Sequence, residues 1–132
     1  MPINPLFLEL QDVIDLHSMQ IEMFGGSHGI RDVNLIESAI HVPQASFGGQ
    51  FACKDIYEMA AKYLYHLNKN HGFVDGNKRI GAHSALVFLE LNNVFLNIRN
   101  GDIIDISLGV AEGVLACEDV TKLLRSFSQA QE

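Results

Sequence analysis

Between His71 and Arg79 the chain reads His-Gly-Phe-Val-Asp-Gly-Asn-Lys-Arg, a short stretch that gathers a proton acceptor, a carboxylate, a turn glycine and two adjacent cations. Taken singly, each has an ordinary explanation. His71 alone reads as a histidine at the end of a helix, Asp75-Gly76 as a turn, and Lys78-Arg79 as a solvated helix start. The combination is harder to explain, because a plain turn needs only Asp75-Gly76. Cations are also unfavourable in the first turn of a helix, so their presence there points to a bound anion.

Gly76 permits a positive φ and close approach to a ligand, and the amides of Asn77, Lys78 and Arg79 then open a helix whose positive dipole end favours phosphate. Lys78 adds a point charge and Arg79 a planar fork. An acid among these cations weakens anion binding unless it has its own task, and Asp75 is placed to hold a Mg²⁺ that bridges phosphate oxygens. Histidine is the side chain that exchanges a proton near neutral pH, which makes His71 the general base for a hydroxyl on a target protein. Phe73 is expected to turn inward and anchor the loop. The chemistry implied is transfer of a phosphate group from a metal-bound nucleotide.

A sequence of helices must position this loop. Leu10, Val13, Ile14, His17, Ile21 and Phe24 follow helical spacing up to Gly25-Gly26. Asp32 caps a short helix that Pro43 ends, and the glycine-bearing stretch from Pro43 to Phe51 is long enough to be a flap. Asp55 caps a third helix whose Ile56, Met59, Ala60, Tyr63, Leu64 and Leu67 form one apolar face running up to Asn70-His71. From about Lys78 to Leu91 the next helix is apolar on nearly all sides, which makes it central and buried. Val94 to Ile98 reads as a brief extended piece, Asp102 opens a helix to about Glu112, and an amphipathic helix carries Val120, Leu123, Leu124 and Phe127. The expectation is an all-α bundle of about six helices, one domain over residues 1–132, with the loop between two central helices.

Composition excludes several roles. The 16 acidic and 9 basic residues give a net charge of −7, which argues against a nucleic-acid binder. Positive charge concentrates instead near Lys69, His71, Lys78 and Arg79, a focus suited to a small anion. Cys53 and Cys117 have no metal-ligand spacing and read as buried thiols of a reducing cytoplasm. His17 and His83 fall near apolar faces and read as core residues, His28 and His41 lie near loops without partners, and His66 and His71 are too awkwardly spaced for a zinc site. No signal segment or membrane span is evident, so a cytoplasmic protein is expected.

The motif His71-x-Phe73-x-Asp75-Gly76-Asn77-Lys78-Arg79 resembles the central motif of the Fic/Doc superfamily, and its Asn-Lys-Arg ending looks like the Doc (death-on-curing) branch. The resemblance extends over roughly residues 8 to 127, through Gly25-Gly26-x-x-Gly29-Ile30-Arg31-Asp32, the helix ending near Pro43-Gln44, and the Ser84-Ala-Leu-Val-Phe-Leu helix. It implies an all-helical fold, ATP and Mg²⁺ as cofactors, His71 activating a target hydroxyl, Asp75 holding the metal and Asn77 positioning phosphate or target. Lys78 with Arg79 would stabilise the transferred phosphate's charge. Fic proteins transfer AMP with a Gly-Asn-Gly-Arg loop. Here Lys78 replaces the second glycine and Ala82 stands at the closing arginine, both of which favour a Doc-type toxin that phosphorylates translation elongation factor Tu. Gly76, where Doc itself has alanine, matches Fic loops and keeps AMP transfer open; an inert interaction module of the same fold is the third reading. The Fic inhibitory helix pattern fails at Ser18 to Glu22, which is followed by Met23. The resemblance therefore implies inhibition by a separate antitoxin that lays a helix in a groove, and it makes Pro43 to Phe51 the target-docking flap.

Overall fold

Most of the helices begin where a polar side chain can satisfy an early amide. The computed structural model describes residues 4–129. Helix α1 (Leu10–Phe24) starts with the Glu9 amide donating to Asp12 Oδ2 at 2.8 Å, and it stops at Gly25, whose φ of 88° with ψ 178° is open essentially to glycine alone. Asp32 caps α2 (Val33–His41) by accepting from the Asn34 amide at 3.0 Å. Proline cannot continue the α-helical ladder, and the chain tightens into one 3₁₀ turn over Val42–Gln44 around Pro43.

The stretch expected as a flap forms a small antiparallel hairpin. Strands β1 (Ser46–Phe47) and β2 (Gln50–Phe51) pair Ser46 with Phe51 and Phe47 with Gln50. Gly48 and Gly49, both at positive φ, supply the two-residue turn whose twist suits a hairpin.

Asp55 caps α3 (Ile56–Asn70), accepting from the Glu58 amide at 2.9 Å. Helices α3 and α4 (Asn77–Leu91) pack directly against each other at the centre, with Tyr63, Leu64, Ile80, Ala85, Phe88 and Leu89 fully buried. Their approach is close enough that a Cβ at Gly81 would sit 2.7 Å from the Leu64 carbonyl oxygen. Around this pair lie α1, α2, α5 (Asn100–Ala111) and α6 (Cys117–Gln129).

The all-α reading therefore holds. The fifth helix opens two residues earlier than expected, at Asn100, and Asp102 sits inside its first turn, where its Oδ2 accepts from the Arg99 amide at 3.2 Å. Val94 to Ile98 does alternate between half-buried and exposed residues, as an extended segment would, but it pairs with no strand among the described residues. Cys53 is buried and its thiol is pushed up to about 11, mainly by desolvation, whereas Cys117 is only half-buried. Among the described residues no helix is long and apolar enough to cross a membrane.

Candidate active site

The antiparallel pairing of α3 and α4 places the C-terminus of one helix beside the N-terminus of the next, and the loop His71–Gly76 joins them. His71 ends α3 in a left-handed conformation (φ 53°, ψ 48°). Its carbonyl accepts from Arg31 Nε at 2.7 Å, which fixes the backbone and leaves the imidazole exposed, without a hydrogen-bond partner among the described residues. Phe73 turns inward as expected and is buried. It also forms an antiparallel bridge with Ile30, framed by Arg31 N–H to the Gly72 carbonyl at 2.8 Å and Val74 N–H to the Gly29 carbonyl at 3.0 Å.

Asp75 is exposed and accepts two backbone hydrogen bonds, from Ser27 at 3.0 Å on Oδ2 and from Gly76 at 2.8 Å on Oδ1. These amides, Ser27 first, hold its carboxyl below the usual carboxylate range, with smaller help from His17 and Lys78. The group is a standing anion facing solvent. Among the described residues no three His, Cys, Asp or Glu side chains converge into a metal cage. Asp75 could hold a Mg²⁺, since that ion keeps several waters and takes few protein ligands.

Gly76 caps α4 at φ 79°, and no side chain covers the helix start. The amides of Asn77, Lys78 and Arg79 find no acceptor among the described residues, so three N–H groups stand open at the positive end of the helix dipole. Lys78 is exposed, with no salt bridge among the described residues. Arg79 is exposed too, and its guanidinium carbon lies 4.4 Å from the centre of the Phe24 ring, a stack that leaves its N–H edges available.

Asn77 differs from expectation. Its Oδ1 accepts from the Phe73 amide and its Nδ2 donates to the Phe73 carbonyl, both at 3.0 Å. The side chain closes the loop on itself, and only the backbone N–H remains for a ligand.

The family model for the Fic/DOC family matches residues 7–89, which contain every group just described. The chain belongs to the Fic/DOC family. It is 32% identical over 122 residues to Protein kinase doc of Escherichia phage P1, covering 92% of this chain and 95% of that relative. It is 38% identical over 90 residues to Toxin Doc of Mycolicibacterium smegmatis, covering 68% of this chain and 67% of that protein.

Sequence reasoning missed what holds the family loop in place. His17, read only as a core residue, is buried, stacks flat on Phe73 with ring centres 3.8 Å apart, and donates from Nε2 to the Asp75 carbonyl at 2.7 Å. One turn on, buried Gln20 donates to the Gly76 carbonyl at 2.9 Å. Ser27 and Arg31 contribute as described above. The available signal was that His17, Gln20 and Phe24 recur at helical spacing on α1. Among the other histidines, His28 does have a partner, Glu22 Oε2 at 2.6 Å, in contrast to the expectation. His83 is half-buried rather than in the core, and burial depresses its pKa.

Proposed function

We propose that this chain is a Doc-type toxin that transfers the γ-phosphoryl group of ATP to a hydroxyl on a protein target, with elongation factor Tu as the target the resemblance names. The observation that carries the reading is the uncapped start of α4, where three open amides coincide with exposed Lys78 and Arg79 beside the ionised Asp75. Similarity to a relative named as a protein kinase, over nearly the whole length of both chains, supports it.

In this reading the amides of Asn77, Lys78 and Arg79 bind phosphate oxygens, and the two side chains balance the charge that shifts during transfer. Asp75 would hold Mg²⁺, which when bound neutralises phosphate charge and orients the donor. His71, with its ring free, takes the proton from the target hydroxyl as its oxygen attacks the γ-phosphorus, and the bond from that phosphorus to the β,γ-bridging oxygen breaks to release ADP. Phe73, Asn77 and the α1 side chains keep these groups fixed, which matters because in-line transfer depends on positioning.

Lys78 separates this chemistry from AMP transfer, since a side chain there occupies room that a second loop glycine would leave. Gly76 does not favour AMP transfer: its positive φ and the 2.5 Å between a would-be Cβ and Gln20 Nε2 account for glycine locally. The toxin would be restrained by a separate antitoxin that lays a helical segment in a groove, as the resemblance implies.

Elongation factor Tu incubated with the protein and ATP labelled at either the α or the γ phosphate tests the reaction. The γ-label should appear on the target, and His71→Ala should abolish it. Appearance of the α-label would overturn phosphoryl transfer in favour of AMP transfer. No label from either form, together with no growth arrest on expression, would leave an inert interaction module.

A further inference from the structure

The face of α1 that meets the loop is built from His17, Gln20, Ile21 and Phe24, positions i, i+3, i+4 and i+7, and each touches a different part of it. His17 Nε2 reaches the Asp75 carbonyl and Gln20 Nε2 the Gly76 carbonyl. Ile21 Cδ1 lies 3.6 Å from where a Gly76 Cβ would be, and Phe24 lies under Arg79. A core-facing helix stripe is ordinarily apolar. Here two of its four members are hydrogen-bond donors, both buried, and both aimed at consecutive backbone carbonyls of the loop.

Peptide geometry says what that does. A trans peptide unit is planar, and its C=O and N–H point in opposite directions. The Asp75 carbonyl shares a plane with the Gly76 N–H, and the Gly76 carbonyl shares one with the Asn77 N–H. A donor that draws the Asp75 carbonyl toward α1 turns the Gly76 N–H away from α1, where it meets Asp75 Oδ1 at 2.8 Å. The Gly76 carbonyl accepts from the Ile80 amide of α4 at 3.0 Å, and Gln20 adds a second donor from the α1 side that holds the Asn77 N–H turned away from α1, where no protein acceptor receives it among the described residues. The first contact orients the carboxylate and the second orients the first open amide of the helix.

Gln20 carries a further mark. Its Oε1 is buried with no hydrogen-bond partner among the described residues. A methionine of similar length would relieve that unsatisfied oxygen, so stability alone gives no reason for glutamine here. The donor Nε2 on the Gly76 carbonyl does.

We propose that His17 and Gln20 are positioning residues of the transfer reaction: by holding two successive carbonyls from the α1 side they fix the direction of the Asp75 carboxylate, which would hold the metal, and of the Asn77 amide, which faces the donor phosphate. The proposal rests on the phosphoryl-transfer reading for its function, while the geometry it describes is measurable in the protein without nucleotide.

The test uses His17→Phe, which keeps a ring to stack on Phe73 but has no N–H; His17→Gln, which restores a donor at the reach of Nε2; and Gln20→Met. In ¹⁵N spectra of the full chain without nucleotide, His17→Phe should shift the Gly76 amide and Gln20→Met the Asn77 amide. Melting of Gln20→Met should match or exceed wild type. Each donor-free variant should lower kcat/KM for γ-phosphate transfer about tenfold, as expected for one lost hydrogen bond, and His17→Gln should recover most of it.

Unmoved Gly76 and Asn77 amides in both donor-free variants would overturn the proposal. So would shifted amides with undiminished transfer, which would make the contacts purely structural. Should His17→Phe fail to fold, Gln20→Met alone decides. If the amides shift but wild type transfers no label, the orienting geometry stands, its assignment to the transfer reaction is overturned, and the reading of the activity fails separately.

Discussion

Asp75 and Asn77 look alike on paper, two short polar side chains flanking a glycine, yet the structure gives them opposite tasks. Asp75 faces solvent with its charge stabilised by the Ser27 and Gly76 amides. Because its folded pKa is lowered, whatever it adds to stability is present above its ordinary value of 3.8 and is lost as the pH falls through the lower folded value. An NMR titration of its carboxyl carbon should therefore show a midpoint below 3.8. Metal binding through Asp75 should be insensitive to pH from about 5 upward, well above the ordinary carboxylate range. Asn77 is bound twice to Phe73, and Asn77→Ala removes both of these loop-closing bonds. The loss should be about 1–3 kcal/mol of stability for two half-buried hydrogen bonds, measured by urea unfolding. Transfer should fall more steeply than that, because the amides it steadies belong to the proposed phosphate site.

At the scale of elements, α3 and α4 make the site by ending and beginning at the same place, and their separation is set by Gly81 against the Leu64 carbonyl. Gly81→Ala must push the helices apart, so despite the better helix propensity of alanine it should destabilise by about 1–3 kcal/mol, as overpacking does. It should also weaken transfer, since His71 and Lys78 ride on the two displaced helices; thermal melting and labelled-ATP assays check the two effects. Most of these elements were legible in the chain. Gly25-Gly26, Asp32 and Asp55 mark helix boundaries by local chemistry, and the apolar spacing of α3 gives its buried face. Asp102 misled because an aspartate in the first turn accepts the same early amide that a capping residue's neighbour offers, so both look like a start. The hairpin was illegible as strands, for two residues on each side of Gly48-Gly49 carry no period. His17 and Gln20 were illegible as loop supports because their partners are backbone carbonyls some 56–58 positions away, and a backbone carbonyl leaves no mark in a sequence.

Across the molecule, stability and chemistry are separated in space. The core lies between α3, α4 and their neighbours, and α6 is fastened over it by Arg125 on Asp55 at 2.6 Å and by the Tyr57 hydroxyl donating to Ser128 Oγ at 2.5 Å. Arg125 and Asp55 are partly exposed, so Arg125→Ala should cost about 1 kcal/mol or less, whereas Phe88→Ala should cost about 3–5 kcal/mol; chemical denaturation of the two variants gives the comparison. The loop end carries exposed Arg31, Lys78 and Arg79 on a chain of net charge −7, which draws small anions there without making the whole surface attractive to nucleic acid.

The left-handed backbone of His71 bears on how such a protein evolves. A histidine at φ 53° sits where an L side chain is disfavoured by roughly 1 kcal/mol, and glycine would be at ease. His71→Gly should therefore unfold at a temperature equal to or higher than wild type while losing all transfer, which calorimetry and the labelling assay can read side by side. For a lineage under selection only to fold, that replacement is downhill. If His71 is the base proposed above, its backbone strain is a cost that only selection for activity would sustain against the drift toward a sturdier, silent protein.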